Sequence, residues 1–160
     1  MSHAGAYGLI LFRNRALNIS VSNTICFAPS GDTAYFSDTD TQIIKMVRLD
    51  ADGWPTGEAT PFIDLTDTDY RPDGAVVDTA GNLWNAQWGA SRVAGYDPNG
   101  KFLAAFDVPA KQSSCPAFGG NDLTTLYCTS AAVGLDGPHE GQTFAQTTSY
   151  VGQAEHRVIL

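Results

Sequence analysis

Residues 23–38 read NTICFAPSGDTAYFSD, and this stretch decides the fold because a related pattern recurs twice further along the chain. Residues 73–87 read DGAVVDTAGNLWNAQ, and residues 115–129 read CPAFGGNDLTTLYCT. Each copy has a short apolar run, a polar turn that contains glycine, and a second run that carries an aromatic residue. This order is typical of a β-hairpin. The repeat therefore predicts paired antiparallel strands in three places.

The spacing of the copies sets the size of the repeating unit. Asn23 and Asp73 lie 50 residues apart, as do Gly31 and Gly81, and the third copy begins at Cys115, 42 residues after Asp73. Further strand-like runs follow the first two hairpins at Ile43–Asp50, Ala59–Leu65, Arg92–Asp97 and Phe102–Val108. Four strands in about 40 to 50 residues are typical of one β-propeller blade. No segment has sustained helical periodicity.

We therefore predict an all-β protein of about three to three and a half propeller blades in a single partial domain. The predicted segments are the end of one blade (1–22), two complete blades (23–70 and 71–112), and a last blade with a closing segment (113–160). The first segment includes predicted strands at Tyr7–Phe12 and Ala16–Val21. Propellers close with about four to eight blades, so the ring is expected to be incomplete. A compact β-sandwich of the same strands is the alternative.

Composition excludes several classes of function. The chain has 9 basic and 17 acidic residues, for a formal net charge of −8, and no cluster of Lys and Arg. This charge disfavours nucleic acid and anionic membrane surfaces as partners. We recognise neither a membrane-spanning stretch nor a signal peptide. Three cysteines without a C-x-x-C pair are typical of reduced, buried thiols, so we expect a cytoplasmic protein.

The first residue of each repeat carries candidate chemistry. In a blade the innermost strand starts beside the central axis, so Asn23 and Asp73 are expected to converge at one mouth of the channel. Amide and carboxylate oxygens suit hard cations, and a carboxylate beside a metal can act as a base. The alternative is that both side chains only satisfy backbone amides where their strands begin. Cys115 has the same position in the third repeat, and we interpret it as a packing residue.

Several motifs occur in the order found in one known family. They are SNTICFAPSG (22–31), RPDG (71–74), DTAGNLW (78–84), DPNG (97–100) and SCPAFG (114–119). In this order they resemble the regucalcin/gluconolactonase family, also called the senescence-marker-protein family. The resemblance covers nearly the whole chain and corresponds to the C-terminal half of family members.

The resemblance implies a six-bladed propeller with a divalent cation at the channel mouth. Asn23 and Asp73 match two of the family's metal ligands, and Asp73 also matches its general base. Trp88, in the predicted loop between the second and third strands, is expected to line the sugar pocket, with covering of a blade edge as the alternative. The family's metal-binding Glu and its substrate-binding Arg and Asn have no counterpart in this chain, and Thr24 replaces the usual Gly.

By this resemblance we expect the C-terminal half of a metal-dependent sugar lactonase that hydrolyses a lactone ester to the hydroxy acid. As this fragment it is expected to be weakly active or inactive. The expected cation is Ca²⁺, with Zn²⁺, Mn²⁺ or Mg²⁺ as alternatives, and the expected partner is a small sugar lactone. The alternative function is a non-catalytic calcium-binding or interaction fragment that self-associates as a homo-oligomer through open blade edges.

Overall fold

The computed structural model describes residues 19–154, and its first sheet has four antiparallel strands in chain order. These strands are β1 (Ser22–Phe27), β2 (Thr33–Asp38), β3 (Ile43–Arg48) and β4 (Thr60–Asp64). A single turn of 3₁₀ helix, Thr39–Thr41, connects β2 to β3. Asp38 caps this turn, because its side chain accepts a hydrogen bond from the amide of Asp40.

Two more sheets follow along the chain, and both are antiparallel. The second sheet contains β5 (Arg71–Val77), β6 (Leu83–Trp88), β7 (Arg92–Tyr96) and β8 (Phe102–Asp107). The third contains β9 (Gln112–Gly119), β10 (Thr125–Ala131) and β11 (Thr143–Thr147), with β10 in the middle. The third sheet thus has three strands within residues 19–154, where a complete blade has four.

The prediction of an all-β protein is confirmed, because residues 19–154 form three antiparallel sheets and no α-helix. Three sheets in chain order are compatible with successive propeller blades and differ from the two sheets of a sandwich. The predicted strand Tyr7–Phe12 lies outside the described residues, as does the first half of Ala16–Val21. Residues 19–21 are not part of a strand.

The second sheet is buried on both faces. On one face Leu83 packs with Tyr35 and other residues of the first sheet. On the other face Trp84 packs with Leu126 and Cys128 of the third sheet. Because neighbouring residues of a strand point to opposite faces, β6 has an almost continuous buried run instead of an alternating one.

The innermost strands β1, β5 and β9 start at the same end of the molecule. Near the starts of β1 and β5, Thr24 bonds the carbonyl of Asp73. Near the start of β9, Ser113 bonds the carbonyl of Gln87, which pairs with Pro72 at the start of β5. We call this common end the mouth, and it brings the first residues of the repeats together.

The expectation of three buried thiols is wrong for one cysteine. Cys26 and Cys128 are buried, but Cys115 is exposed. The reason is that Cys26 and Cys128 point between packed sheets, whereas Cys115 lies near the mouth end of β9. Within residues 19–154 no helix is long and apolar enough to cross a membrane.

Candidate functional site

Each inner strand has a register shift of one residue, a β-bulge, at the mouth. The bulge is formed by Thr24 and Ile25 in β1, by Asp73 and Gly74 in β5, and by Ser114 in β9. A bulge bends its strand and redirects a side chain, and bulges are common beside active sites. The repeated sequence did not reveal these bulges, because each lies at a different position relative to the first residue of its copy, Asn23, Asp73 or Cys115.

Asn23 is half-buried in β1, next to the first bulge. Its Nδ2 donates a 2.8 Å hydrogen bond to Oγ1 of Thr39, which in turn donates a 2.8 Å bond to the carbonyl of Pro72. Asn23 therefore bonds a side chain and not a backbone amide. The Oδ1 atom of Asn23 accepts no hydrogen bond from residues 19–154. This oxygen is the available donor to a cation.

Asp73 is half-buried in β5. Burial raises the pKa of its carboxyl group to about 6, and the amide of Gly74 offsets only part of this effect. Within residues 19–154 no cationic side chain offsets this cost of desolvation. A raised pKa near neutral pH is the property that a general base needs, and a desolvated carboxylate is also a good ligand for a metal ion.

A buried polar network joins β1 to β5 directly beneath these two residues. The hydroxyl of Thr24 donates a 2.6 Å hydrogen bond to the carbonyl of Asp73, and it accepts bonds from Ser37 (2.8 Å) and Asn85 (3.3 Å). Asn85 also donates to the carbonyls of Asp73 and Gly74, both at 3.1 Å. The network fixes the backbone at the second bulge.

Sequence reasoning missed the role of Ser37 and Asn85. Strand alternation with Trp84 and Ala86 predicts an exposed Asn85, but its side chain is fully buried because the second sheet is covered on both faces. The hydrogen-bond partner of Asn85, Thr24, is 61 residues away in the chain, so the sequence around Asn85 does not indicate this contact.

Trp88 lies at the mouth end of the second sheet, where it pairs with Arg71. The sequence predicted it in the loop between the second and third strands, but it is the last residue of β6 and half-buried. Its backbone is therefore held by the sheet. Its role in binding a sugar stays a prediction.

Cys115 lies against the residue that follows Asp73. A Cβ atom on Gly74 would be only 2.9 Å from Sγ of Cys115 and 2.8 Å from the carbonyl oxygen of Ser114. Glycine at position 74 thus allows β9 to pack against the bulge of β5. The neighbouring thiol of Cys128 has a pKa raised to about 11 by burial, so it stays protonated at neutral pH.

The donor set at the mouth fits a hard divalent cation. Asn23 offers an amide oxygen and Asp73 a desolvated carboxylate, and both are ligand types that Ca²⁺ prefers. Ca²⁺ takes about six to eight oxygen ligands, so two side chains form part of a coordination shell that water or substrate must complete. Residues 19–154 contain no group of three or more His, Cys, Asp or Glu side chains suited to a metal.

Two cavities among the described residues lie away from these side chains. One of about 280 Å³ lies between the second and third sheets, and it is lined by residues such as Phe106 and Phe144. Another of about 360 Å³ lies at the end opposite the mouth, beside the ion pair of Asp32 and Arg48. Neither cavity is lined by Asn23, Asp73 or Trp88.

Fold and site together define a class: a protein of successive antiparallel sheets whose inner strands present an amide and a carboxylate at one shared end. Residues 13–132 match the family model of the SMP-30/gluconolactonase/LRE-like region, which is most of the chain. The chain belongs to this family.

Characterised relatives and a solved structure agree with this assignment. The chain is 42% identical over 147 residues to L-arabinolactonase of Azospirillum brasilense, covering 86% of this chain and 47% of that protein. It is 35% identical over 144 residues to 6-deoxy-6-sulfogluconolactonase of Pseudomonas putida, covering 86% and 50%. The crystal structure of a calcium-binding protein, regucalcin, from Agrobacterium tumefaciens superimposes with a TM-score of 0.85 at 43% identity, covering 89% of this chain and 50% of that chain. The chain spans about half the length of the curated relatives it matches.

Proposed function

We propose that this chain is the C-terminal half of a divalent-cation-dependent sugar lactonase with a six-bladed propeller fold. Residues 23–70 and 71–112 are its two complete blades, and residues 113–160 are its last blade and closing segment. Family membership, the lactonase names of the relatives and the half-length coverage support this proposal.

The single observation that carries the proposal is the environment of Asp73. Its carboxyl group is desolvated enough to raise the pKa to about 6, and it belongs to the bulge bonded to Thr24, the neighbour of Asn23. Structural roles rarely need a desolvated carboxylate without a cationic partner, whereas cation binding and proton transfer both use one.

The proposed chemistry is hydrolysis of the lactone ester. Oδ1 of Asn23 and the carboxylate of Asp73 would hold the cation, and a cation bound there would supply Lewis-acid polarisation of the lactone carbonyl. Asp73 accepts a proton from water as the water oxygen bonds to the acyl carbon. The ring C–O bond then breaks, and the proton passes to the departing ring oxygen to give the hydroxy acid. Trp88 lines the sugar side of the site.

The cation is proposed to be Ca²⁺, because both donors are oxygens and the regucalcin structure is described as that of a calcium-binding protein. Zn²⁺, Mn²⁺ and Mg²⁺ are the alternatives to compare. The proposed substrate is a sugar lactone as a class, since the relatives act on different members of it.

A lactone-hydrolysis assay tests the proposal. Acid release from aldonolactones is followed for the wild-type chain and for Asp73→Asn, with each divalent cation and with chelator. We expect slow cation-dependent hydrolysis above the spontaneous rate in the wild type and none in Asp73→Asn. Equal rates for the two proteins would contradict catalysis by this chain. Asp97→Asn, in a surface turn, is the matched control and should behave as wild type.

The second candidate is a cation-binding or interaction fragment without turnover. It is favoured by β11, which pairs only with β10 and leaves the other edge of the third sheet open within the described residues. An open strand edge can pair with a second copy of the chain. Calcium binding that requires Asp73 without hydrolysis, together with dimers in sedimentation velocity, would establish this candidate in place of the first.

A further inference from the structure

Thr24 has a backbone conformation that is unusual for its residue type. Its φ is 61°, in the left-handed region, although its β-branched side chain disfavours that region. The other non-glycine residues with positive φ within residues 19–154 are Gln42, Ser91 and Leu123, and all three lie between strands. Thr24 lies inside β1, next to candidate ligand Asn23. Such strain persists only where surrounding contacts hold it.

Those contacts are the bonds of the Thr24 hydroxyl. It donates at 2.6 Å to the carbonyl of Asp73 and accepts from Ser37 at 2.8 Å and Asn85 at 3.3 Å. Thr24 is 1% exposed, and Ser37 and Asn85 are fully buried, so water does not compete for these bonds. The hydroxyl is thus the central group of a network that ends on the backbone of the proposed base.

Asn85 adds an independent observation. Its Oδ1 is buried and has no hydrogen-bond partner among the described residues, which is unfavourable. Only the contacts of its Nδ2, with Thr24 and the carbonyls of Asp73 and Gly74, offset this cost. Two side chains on different strands therefore converge on one peptide carbonyl, that of Asp73.

At the next contact between inner strands, β5 against β9, the residue in the place of Thr24 carries no hydroxyl, and the hydroxyl of Ser113 in β9 bonds β6 instead. Gly74 lies 50 residues after Thr24 and has the same place in its repeat. It packs directly on Ser114 and Cys115, with no room for a Cβ atom. Neighbouring inner strands can therefore pack without a bridging side chain, so packing alone does not account for Thr24.

We propose that Thr24 is a positioning residue: its hydroxyl, supported by Asn85, holds the Asp73–Gly74 bulge so that the Asp73 carboxylate stays aligned with Asn23. This inference deepens the proposed function and rests on it. Thr24 does not touch the cation or substrate; it acts through the main chain of Asp73.

Calorimetric titration with CaCl₂ alone tests the inference in four variants of the full chain. Thr24→Ser keeps the hydroxyl and should bind Ca²⁺ within about twofold of wild type. Thr24→Val keeps the shape but loses the hydroxyl, and Thr24→Gly loses the hydroxyl and relieves the backbone strain. Both should weaken Ca²⁺ binding by about 3- to 10-fold, the usual effect of one lost hydrogen bond.

Thr33→Val is the matched control for general destabilisation. Thr33 is also a buried threonine, 5% exposed, but its hydroxyl bonds Asp32 at the end away from the mouth. This variant should lower the thermal midpoint and leave Ca²⁺ affinity unchanged. If affinity falls in Thr33→Val as much as in Thr24→Val, a purely structural role explains both and the inference is overturned.

A second readout without any cation separates this inference from the proposed function. NMR three-bond couplings report the χ1 rotamer of Asp73, which should be single in the wild type and averaged in Thr24→Val and Thr24→Gly. Unchanged couplings and unchanged Ca²⁺ affinity would overturn the positioning role. If the wild type binds no Ca²⁺ but Thr24→Val still averages the χ1 rotamer of Asp73, the positioning role holds and the proposed cation site fails.

Discussion

The indole ring of Trp84 lies flat against the backbone of Gly95, its cross-strand partner. A Cβ atom at position 95 would be 2.4 Å from Cζ3 of Trp84, far inside normal contact. The ring also stacks on Phe106 at a centroid distance of 5.2 Å and meets Tyr150 edge-on at 4.4 Å. Glycine at position 95 is therefore what lets the aromatic core between the second and third sheets form.

We predict that Gly95→Ala destabilises the protein by about 1–3 kcal/mol, because the extra methyl overpacks a filled core. Urea denaturation measures the free energy of unfolding. Gly57→Ala is the matched control, since a Cβ there meets nothing within 4 Å. Equal stability of the two variants would contradict the role assigned to the Trp84–Gly95 contact.

A second prediction concerns the buried carboxylate of Asp78. It accepts hydrogen bonds from the amides of Ala80 and Asn82, from Nδ2 of Asn82, and from the indole of Trp84 at 3.0 Å. Asp78→Ala leaves these donors unsatisfied in a site that is 1% exposed, so we expect a loss of about 2–4 kcal/mol.

The control for this variant is Asp122→Ala, in the corresponding turn of the third sheet. Asp122 is exposed and accepts a 3.3 Å bond from the amide of Thr124. Its replacement should destabilise the protein much less than that of Asp78. Chemical denaturation measures the free energy of unfolding of both variants. Similar losses would show that the turn, and not the buried hydrogen bonds of Asp78, determines the stability.

The hairpins were predictable because their signals are local. Gly31 and Gly81 adopt positive φ in their turns, and the apolar runs on either side become β1, β2, β5 and β6. The 50-residue spacing selected Asn23 and Asp73 near the starts of β1 and β5, although Asn23 pairs before its bulge and Asp73 lies inside its own. Local pattern and repeat spacing thus suffice for the strands, whereas the roles of Asn23 and Asp73 stay predictions.

The rest of the site depends on contacts between sheets. The bond from Thr24 to Asp73 joins residues 49 apart, and the orphaned oxygen of Asn85 exists only because two sheets bury it. Trp88 was expected in a loop but continues β6, since its pairing with Arg71 extends the ladder by one residue. The first two features have no signal within one hairpin, whereas the extent of β6 depends on pairing inside the β5–β6 hairpin.

A third prediction follows from the raised pKa of Asp73. Its value of about 6 in the folded protein exceeds the ordinary 3.8, so the folded state holds this proton more tightly than the unfolded state. Stability from this group is present below about pH 4 and is lost as pH rises through about 6. Because the side chain is only half-buried, solvent screens part of this effect, so we expect Asp73→Asn to exceed wild type in stability by about 1–2 kcal/mol near pH 7.5 and to match it near pH 3.5.

Asp97 provides a control, because its contribution to stability depends on pH in the opposite direction. The amides of Lys101 and Asn99 lower the pKa of its carboxyl group, so its contribution is present above the unfolded pKa and is lost as pH falls. Asp97→Asn should therefore reduce stability at neutral pH. Urea denaturation of both variants across the pH range tests these opposite pH dependences of the free energy of unfolding. If the free energy of unfolding of Asp73→Asn changes with pH in parallel with that of wild type, the desolvation of Asp73 is contradicted.

The last prediction concerns calcium as a stabilising ligand. A cation that binds only the folded state raises the free energy of unfolding, by about 2.7 kcal/mol at a hundredfold excess over the dissociation constant. It should also offset the desolvation cost of the ionised Asp73 carboxylate, because the bound cation favours the charged form.

We expect CaCl₂ to raise the thermal midpoint of the wild type near neutral pH. The rise should be smaller in Asn23→Ala, which keeps the carboxylate, and absent in Asp73→Asn, which loses the charged donor. Asp97→Asn should respond as wild type, because its surface turn lies outside the donor set. A calcium-induced rise in Asp73→Asn as large as in the wild type would place the cation elsewhere and remove the mouth of the inner strands as its site.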